Sequence, residues 1–244
     1  HGGPQNAIID NSLSLIKNGI SVDILTSDTR SYHFKKIKNL RIINKGPSLN
    51  DYGLNLKLFY WLLKNKEKYS FILIHGIWSF YTLAARILFK NRYFVFIHGQ
   101  LDPYFALNLI KKIKKKIYWF LIEKSNLMSS KSLLLTSDLE KKLITKTYVD
   151  TNMLNKVVIN YGITKPNFNK KAVLEVFYKK FPKLKNKKFL LFLGRFHEKK
   201  GCDVLIKALK KIKDKKISIN VLLAGPDNQY KNDLKSLVKK LKLN

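Results

Sequence analysis

The sequence predicts an α/β protein whose parallel sheets are covered by helices on both faces. Short apolar segments of strand length alternate with segments of helical periodicity along much of the 244-residue chain. Parallel strands are buried on both faces and are joined by helices, which produces this alternation. After a polar stretch, the alternation starts again with the apolar run from Phe189 to Leu193, so we expect two domains.

The elements of the first domain follow from these patterns in order. A helix is predicted over Asn6–Asn18, where Gly19 ends it, and Ile20–Leu25 forms the next strand. Further strands are predicted over residues 40–44, 71–74, 93–97, 133–135 and 157–159. Further helices are predicted over residues 53–66, 79–89, 107–124 and 139–147, the last of them capped by residues 136–138. We therefore expect the first domain to span residues 1–164.

A polar connection is predicted over residues 165–188, with two prolines and a short helix around residues 172–180. The second domain then spans residues 189–244. Its strands are predicted over residues 189–193 and 217–224, one helix over the apolar-periodic run of residues 204–209, and another over residues 230–241. Ligands of such folds gather at the carboxyl ends of the strands, so the segments after each strand carry the functional signals.

The chain is globular in composition but strongly basic. Hydrophobic residues make up 45% of it, and its formal net charge is +32. Such a charge invites a nucleic acid or a membrane surface as partner. Only five of the 48 cationic residues are Arg, on which proteins that read bases or phosphates rely more, so we expect no specific nucleic acid. The single cysteine, Cys202, excludes a disulfide within the chain and fits a cytoplasmic protein, and no apolar run has the length of a transmembrane helix.

The turn after the strand at residues 189–193 carries the clearest signal of function. Gly194 and Gly201 bracket this turn, and Arg195 and Lys200 lie inside it. The free N–H groups of a helix start attract anions, Arg grips phosphate oxygens in bidentate fashion, and Lys adds a mobile charge. The turn therefore predicts a diphosphate site. An ordinary strand-helix turn with two solvated cations is the alternative.

A second signal follows the strand at residues 93–97. There His98 and Asp102 lie on a loop stiffened by Pro103, and a histidine and a carboxylate at a strand end can orient a hydroxyl group. The alternative is a structural role, in which the histidine binds a backbone carbonyl and the carboxylate caps a helix. His75 ends another strand, and we predict it to be structural.

Two glycines, Gly2 and Gly3, precede the first helix. A glycine pair lets the backbone approach a ligand closely while the helix N-terminus faces that ligand. A flexible, tag-like end is the alternative. The chain begins with His1 rather than Met, so we expect its natural start to be missing.

The helix predicted over residues 107–124 is amphipathic and basic. Its apolar residues at positions 106, 109, 110, 113, 117, 120 and 121 mark one face, and five lysines between Lys111 and Lys116 crowd the other. Such a helix can lie on an anionic membrane, where each lysine contributes on the order of 1 kcal/mol. The alternative is an apolar face packed on the sheet of its own domain with solvated lysines, and both arrangements can hold together.

These segments resemble GT4-type retaining glycosyltransferases, and the resemblance extends over essentially the whole chain. The turn reads Gly194-Arg-Phe-His-Glu-Lys-Lys-Gly201, which is similar to the G-R-x-x-x-x-K-G signature of that family. The loop reads His98-Gly-Gln-Leu-Asp-Pro103, which is similar to the H-G-x-L-D-P loop of members that build bacterial surface polysaccharides. The segment over residues 160–164 matches the N-G-[IV]-D segment of the family imperfectly, because Tyr161 and Thr164 depart from it.

The resemblance implies the GT-B fold, in which two Rossmann-like, doubly wound parallel-sheet domains face a cleft. It implies transfer of a hexosyl group from a UDP- or GDP-sugar to a hydroxyl of a glycan or lipid-linked acceptor, with retention of configuration and without a metal. By the same resemblance, Arg195 and Lys200 hold the diphosphate, and His98 lies near the transferred sugar. The implied donor contacts are Gly2, Gly3, Gly194, Gly201 and Gly225, and the implied acceptor contact is Asp102.

The family places a strand before its glycine-rich loop and a paired-glutamate motif, E-x7-E, in the second domain. We find neither in the chain, so we expect truncation at both ends and an incomplete second domain. An inactive piece of a transferase is therefore one hypothesis, and a non-enzymatic basic protein that binds nucleic acid or a membrane surface is another. For the transferase we expect a cytoplasmic location, peripheral on the inner face of the cell membrane.

Overall fold

A computed structural model describes residues 3–29, 38–103, 109–160, 162 and 165–243 of the chain. The chain divides into two compact units, His1–Lys165 and Pro166–Asn244, which we call unit 1 and unit 2. This division lies one residue after the predicted end of the first domain at residue 164, and the predicted connection over residues 165–188 falls within unit 2 except for Lys165.

Unit 1 contains six strands and the helices that connect them among its described residues. The strands are β1 (Val22–Thr26), β2 (Leu40–Asn44), β3 (Ile72–His75), β4 (Tyr93–Phe96), β5 (Ser132–Leu135) and β6 (Lys156–Val158). The helices are α1 (Gly3–Lys17), α2 (Leu56–Asn65), α3 (Phe80–Leu88), α4 (Leu109–Tyr118), α5 (Lys124–Met128) and α6 (Asp138–Thr147). A π-helical turn, Trp119–Glu123, joins α4 to α5 without a break.

All strand pairs in unit 1 are parallel, as the sequence predicts. β1 pairs with β2, and a separate four-stranded sheet has the order β3-β4-β5-β6. All four residues of β5 are buried, as are three of the four in β4. Because successive side chains of a strand point to opposite faces, the centre of this sheet is covered on both faces.

Local sequence signals explain where the helices of unit 1 begin and end. The side chain of Asn55 accepts a hydrogen bond from the backbone N–H of Leu58 and starts α2. Ser137 accepts one from the N–H of Glu140 at 3.1 Å, which confirms the predicted cap of α6. Gly19 follows α1 with a φ of 82°, a left-handed conformation that glycine adopts without strain.

Unit 2 is a smaller α/β unit. Its elements are α7 (Lys170–Lys180), β7 (Phe189–Leu193), α8 (Cys202–Asp214), β8 (Asn220–Ala224) and α9 (Gln229–Lys240), and β7 and β8 pair in parallel. Its buried core consists of Phe196, Cys202, Ile206 and Leu234. Cys202 is fully buried and free, which fits a small packing residue.

The helical segment over residues 109–128 faces the core differently from the sequence pattern. The side chains that it buries at its centre are Trp119 and Glu123, whereas the predicted apolar face lies outside. Ile113, Ile117, Phe120 and Leu121 are between 56% and 71% exposed. The prediction that this apolar face packs on the sheet is therefore wrong for these four residues, and positions 106, 109 and 110 lie outside the described side chains.

None of the helices in the described residues has the length and apolar character that crossing a bilayer requires.

Candidate functional site

Two histidines meet at the carboxyl ends of β3 and β4. His75 is the last residue of β3, and His98 follows β4 by two residues. The parallel pairing of these strands places His75 opposite Phe96, and Nδ1 of His75 lies 3.1 Å from Nε2 of His98. The two imidazole rings stack with centroids 5.2 Å apart, and Phe96 stacks on both.

The backbone of His98 adopts a conformation that few side chains favour. Its φ is 49°, and Gly99 continues the turn with a φ of 74°. A carboxylate from α6 fixes this turn, since Oε1 of Glu140 accepts the N–H of Gly99 at 2.7 Å. Oε2 of the same carboxylate accepts the backbone N–H and the hydroxyl of Thr136. Backbone strain of this kind persists where surrounding contacts fix it, and it concentrates at functional sites.

Burial keeps both imidazoles neutral near pH 7. Desolvation, together with the positive charge that His98 would carry, lowers the pKa of His75 to about 4. Burial also lowers the pKa of His98, while the Glu140 carboxylate acts in the opposite direction. A neutral imidazole has one donor and one acceptor nitrogen, so the bond to His75 occupies Nε2 of His98 and fixes the ring.

A cavity of about 290 Å³ opens beside this pair. His98 and Asp102, both predicted as site residues, line it together. Pro4 of α1 lines it too, so the start of α1, where Gly3 is the first residue, reaches the same cavity; Gly2 lies outside the described residues. The remaining lining residues are Gly99, Thr136, Ser137, Leu139, Glu140, Leu143 and Ile144.

The basic turn of unit 2 lies at the carboxyl end of β7. Arg195 and Lys200 are both exposed, and the salt bridges between described residues involve neither side chain. The turn contains a 3₁₀ segment, Glu198–Lys200, that His197 caps by accepting the N–H of Lys199 at 3.1 Å. Gly201 follows with a φ of 67° and starts α8. Two unpaired cations therefore precede the N-terminus of a 13-residue helix.

The glycines at the ends of β7 and β8 touch each other. A Cβ on Gly225 would lie 2.1 Å from the carbonyl oxygen of Gly194, so no other residue fits at position 225 without a backbone shift. A Cβ on Gly194 would meet its neighbour Phe192 at 3.6 Å, which is an ordinary contact. The close approach of the two strand ends explains Gly225, and it leaves the backbone of both glycines beside the basic turn.

Two residues of the site were not recognised in the sequence. We predicted His75 to be structural, and its hydrogen bond to His98 fits that role, but the contact between the two histidines was not foreseen. The signal was that both histidines end neighbouring strands. Glu140 stands three residues after Ser137 in a capping-box pattern, in which it would bind the N–H of Ser137. It binds the N–H groups of Thr136 and Gly99 instead.

No group of three or more His, Cys, Asp or Glu residues that could hold a metal ion occurs in the described parts of the chain. The expectation that no metal takes part in the reaction remains a prediction.

Part of the chain is similar to a known family of proteins. Residues 175–244, which include the basic turn, match the family model described as glycosyl transferases group 1. No curated protein sequence is significantly similar to the chain.

The whole structure is similar to solved glycosyltransferases. A glycosyltransferase from Rickettsia africae matches with a TM-score of 0.62 and 21% identity, over 98% of this chain and 62% of that one. HepE from Anabaena, solved in complex with UDP and glucose, matches with a TM-score of 0.62 and 14% identity, over 100% of this chain and 64% of that one. The chain thus spans less than two thirds of the length of either protein. The predicted α/β architecture is confirmed as the GT-B fold of these glycosyltransferases.

Proposed function

We propose that the protein transfers a sugar from a nucleotide-diphosphate sugar to a hydroxyl group, with retention of configuration, as a GT4-type hexosyltransferase. The observation that carries this proposal is the basic turn of unit 2. Arg195 and Lys200 follow the carboxyl end of β7, form no salt bridge with another described residue, and lie within the segment that matches the group 1 glycosyltransferase model. The GT-B fold of the chain supports the same conclusion.

The chemical requirement is to stabilise a diphosphate that leaves while positive charge develops on the sugar. Arg195 offers a planar fork of donors to two phosphate oxygens, and Lys200 offers a mobile charge. The free N–H groups at the start of α8 add a positive end of a helix dipole. Gly194, Gly201 and Gly225 expose backbone to the donor, so the cations of the protein replace a metal ion in this proposal.

In the proposed reaction, the histidine pair acts on the transferred sugar or the acceptor, whereas the basic turn acts on the diphosphate. His98 positions the transferred sugar or the acceptor hydroxyl in the cavity, and Asp102 contacts the acceptor there. Gly3, the first residue of α1, and Gly2, which precedes it in the sequence, would admit the donor phosphates. His75 keeps the His98 ring in place by hydrogen bond and stacking. A neutral His98 has one donor and one acceptor nitrogen, so it can form directed hydrogen bonds with hydroxyl groups without carrying a charge.

We propose UDP- or GDP-sugars as donors, and the complex of HepE with UDP and glucose supports UDP as the first nucleotide to test. For the acceptor we propose a glycan or a lipid-linked glycan of a bacterial surface polysaccharide. The enzyme would then work in the cytoplasm, peripheral on the inner face of the membrane, and the lysines of Lys111–Lys116 support that placement.

The test is nucleotide binding and sugar transfer by the complete gene product with Arg195→Ala and Lys200→Ala. Each variant should lose about 10²–10³ in transfer rate, because a preorganised contact to the leaving group is removed. Both side chains are exposed, so the melting temperature should not change. Lys211→Ala, an exposed lysine further along α8, is the matched control and should keep full activity. Wild-type turnover in either test variant would refute the proposal.

A further inference from the structure

One exposed face of unit 1 is more apolar than a solvated helix face requires. Ile113, Ile117, Phe120 and Leu121 are 58%, 56%, 56% and 71% exposed, and we call these four residues the apolar stripe. Their spacing of four, three and one residues places them on one side of the continuous helical segment. Isolated exposed apolar side chains need no explanation, but a contiguous row of four large ones indicates an interaction surface.

The apolar stripe cannot pack into unit 1, because other residues of the same segment already occupy the inner face. Trp119 is 1% exposed and stacks on Tyr148 with ring centroids 4.2 Å apart. Glu123 is fully buried and accepts hydrogen bonds from the hydroxyl of Thr82 and the amide of Asn126. These contacts fix which side of the helix faces the core, so the stripe faces outward.

Lysines border the apolar stripe on both sides. Each residue advances an α-helix by about 100°, so Lys114 lies on one side of Ile113 and Lys116 on the other. Both lysines are exposed. Residues 109–122 contain no Asp or Glu, and the first carboxylate after them, Glu123, is buried. The surface therefore combines apolar side chains with positive charge and no exposed negative charge on the segment itself.

The combination of exposed apolar side chains and lysines indicates which class of partner this surface binds. A second copy of the chain would have to bring two rows of lysines together around the stripe, and the repulsion would oppose pairing. A nucleic acid duplex would satisfy the lysines but would leave the isoleucines, phenylalanine and leucine against a charged backbone. An anionic lipid surface satisfies both, since headgroups attract the lysines and acyl chains accept the apolar side chains.

We propose that the apolar stripe inserts into the surface of an anionic membrane while Lys114 and Lys116 contact its headgroups. This inference deepens the proposed peripheral location, because it names the residues that enter the lipid. It does not depend on sugar transfer.

The test measures binding to vesicles of phosphatidylcholine alone and of phosphatidylcholine mixed with phosphatidylglycerol, by co-sedimentation. The wild-type chain should bind the mixed vesicles and release them at high salt. Phe120→Ser with Leu121→Ser should weaken that binding at least about tenfold, since two large apolar side chains leave the lipid. Lys114→Gln with Lys116→Gln should weaken it by a similar factor. Leu139→Ser, at an exposed leucine of α6, is the matched control and should bind as the wild type does.

A second readout reports insertion directly. The one native cysteine, Cys202, is fully buried, so a Phe120→Cys variant can be labelled selectively with an environment-sensitive fluorophore. Its emission should shift to shorter wavelength on mixed vesicles, whereas the same label at Leu139→Cys should not respond. Equal binding by the double serine variant, an unchanged emission, or stripe-dependent dimerisation without lipid would overturn the proposal. Unchanged circular dichroism of each variant excludes unfolding as the cause.

Discussion

The two units place their candidate functional groups in opposite environments. In unit 1, His75 and His98 are partly or largely buried at the end of a four-stranded sheet, and their rings hold each other. In unit 2, Arg195 and Lys200 are exposed beside a two-stranded sheet, and the backbone alone places them. Packing therefore sets the protonation and orientation of the histidines, whereas the backbone of the turn sets the position of the two cationic side chains.

This difference predicts which changes each unit tolerates. A substitution in the packed site of unit 1 should alter stability and chemistry together. A side-chain substitution in the basic turn should alter ligand binding alone, whereas a change that moves the strand ends should destabilise unit 2.

The largest effect is expected from Gly225→Ala, which tests the dependence of unit 2 on its backbone. The new methyl group would lie 2.1 Å from the Gly194 carbonyl oxygen, so the strand ends must separate, at a cost of about 3 kcal/mol. Amide hydrogen exchange in β7 and β8 should accelerate. Gly194→Ala is the matched control and should change this exchange little, because its methyl group meets only an ordinary contact. Equal exchange in the two variants would contradict the assigned strand contact.

All three tryptophans of the chain, Trp61, Trp78 and Trp119, lie in unit 1. Their fluorescence therefore reports the unfolding of unit 1, and Gly225→Ala should leave that unfolding curve unchanged.

The next effect is a pH dependence of the stability of unit 1. The pKa of His75 is about 4 in the folded chain and 6.5 in its ordinary state, so the unfolded chain binds the proton first as the pH falls. Stability should therefore fall between about pH 6.5 and pH 4, by about 3 kcal/mol in full. His75→Phe keeps a stacked ring without a titrating group. The free energy of unfolding is measured in urea by tryptophan fluorescence, and its difference between wild type and variant should shrink steadily as the pH falls.

The contribution of Glu123 to stability changes with pH in the opposite direction, so this residue provides a control for that experiment. Burial raises its pKa from 4.5 to about 7, so the folded chain holds a proton that the unfolded chain releases. Its contribution to stability is present below pH 4.5 and is lost as the pH rises through 7. Glu123→Gln should flatten this loss. If His75→Phe and Glu123→Gln changed the pH dependence of stability in the same direction, one of the two assigned pKa shifts would be refuted.

The smallest effect compares two helix caps. Ser137→Ala removes the acceptor for the N–H of Glu140 in unit 1, and Asn169→Ala removes the acceptor for the N–H groups of Lys171 and Ala172 in unit 2. Each should cost about 1 kcal/mol, measured by chemical denaturation. Only Ser137→Ala should also reduce sugar transfer, because Glu140 holds the turn at His98 through the N–H of Gly99. Equal sugar transfer by both variants would contradict the prediction that the cap at Ser137 supports the site at His98.

The sequence predicted the elements well wherever a local signal fixed them. The cap at Ser137, the stop at Gly19 and the strand-turn-helix unit around Gly201 each depend on a few neighbouring residues. His98 and Asp102 line one cavity because they lie four residues apart on the loop that follows β4.

What could not be predicted depends on contacts between distant parts of the chain. The pairing of His75 with His98 requires the register of β3 and β4, which no local pattern contains. Hydrophobic periodicity predicted that Phe120 and Leu121 face the core and that Glu123 faces solvent. Glu123 is buried instead, because Thr82 and Asn126 donate hydrogen bonds to its carboxylate. Similarly, Leu191 and Leu193 in β7 are 56% and 78% exposed although the apolar run predicted a buried strand.

The π-helical turn, Trp119–Glu123, makes the length of this segment adjustable. A π turn holds one residue more than an α turn while it completes about the same rotation, so deleting a single residue there would restore α-helical spacing. The helix that follows would keep its phase, and Leu127 would stay in the core. The same deletion within α2, whose turns are already α-helical, would rotate the residues after it by about 100°. A one-residue deletion should therefore be less damaging in the π turn than in the α-helices of unit 1.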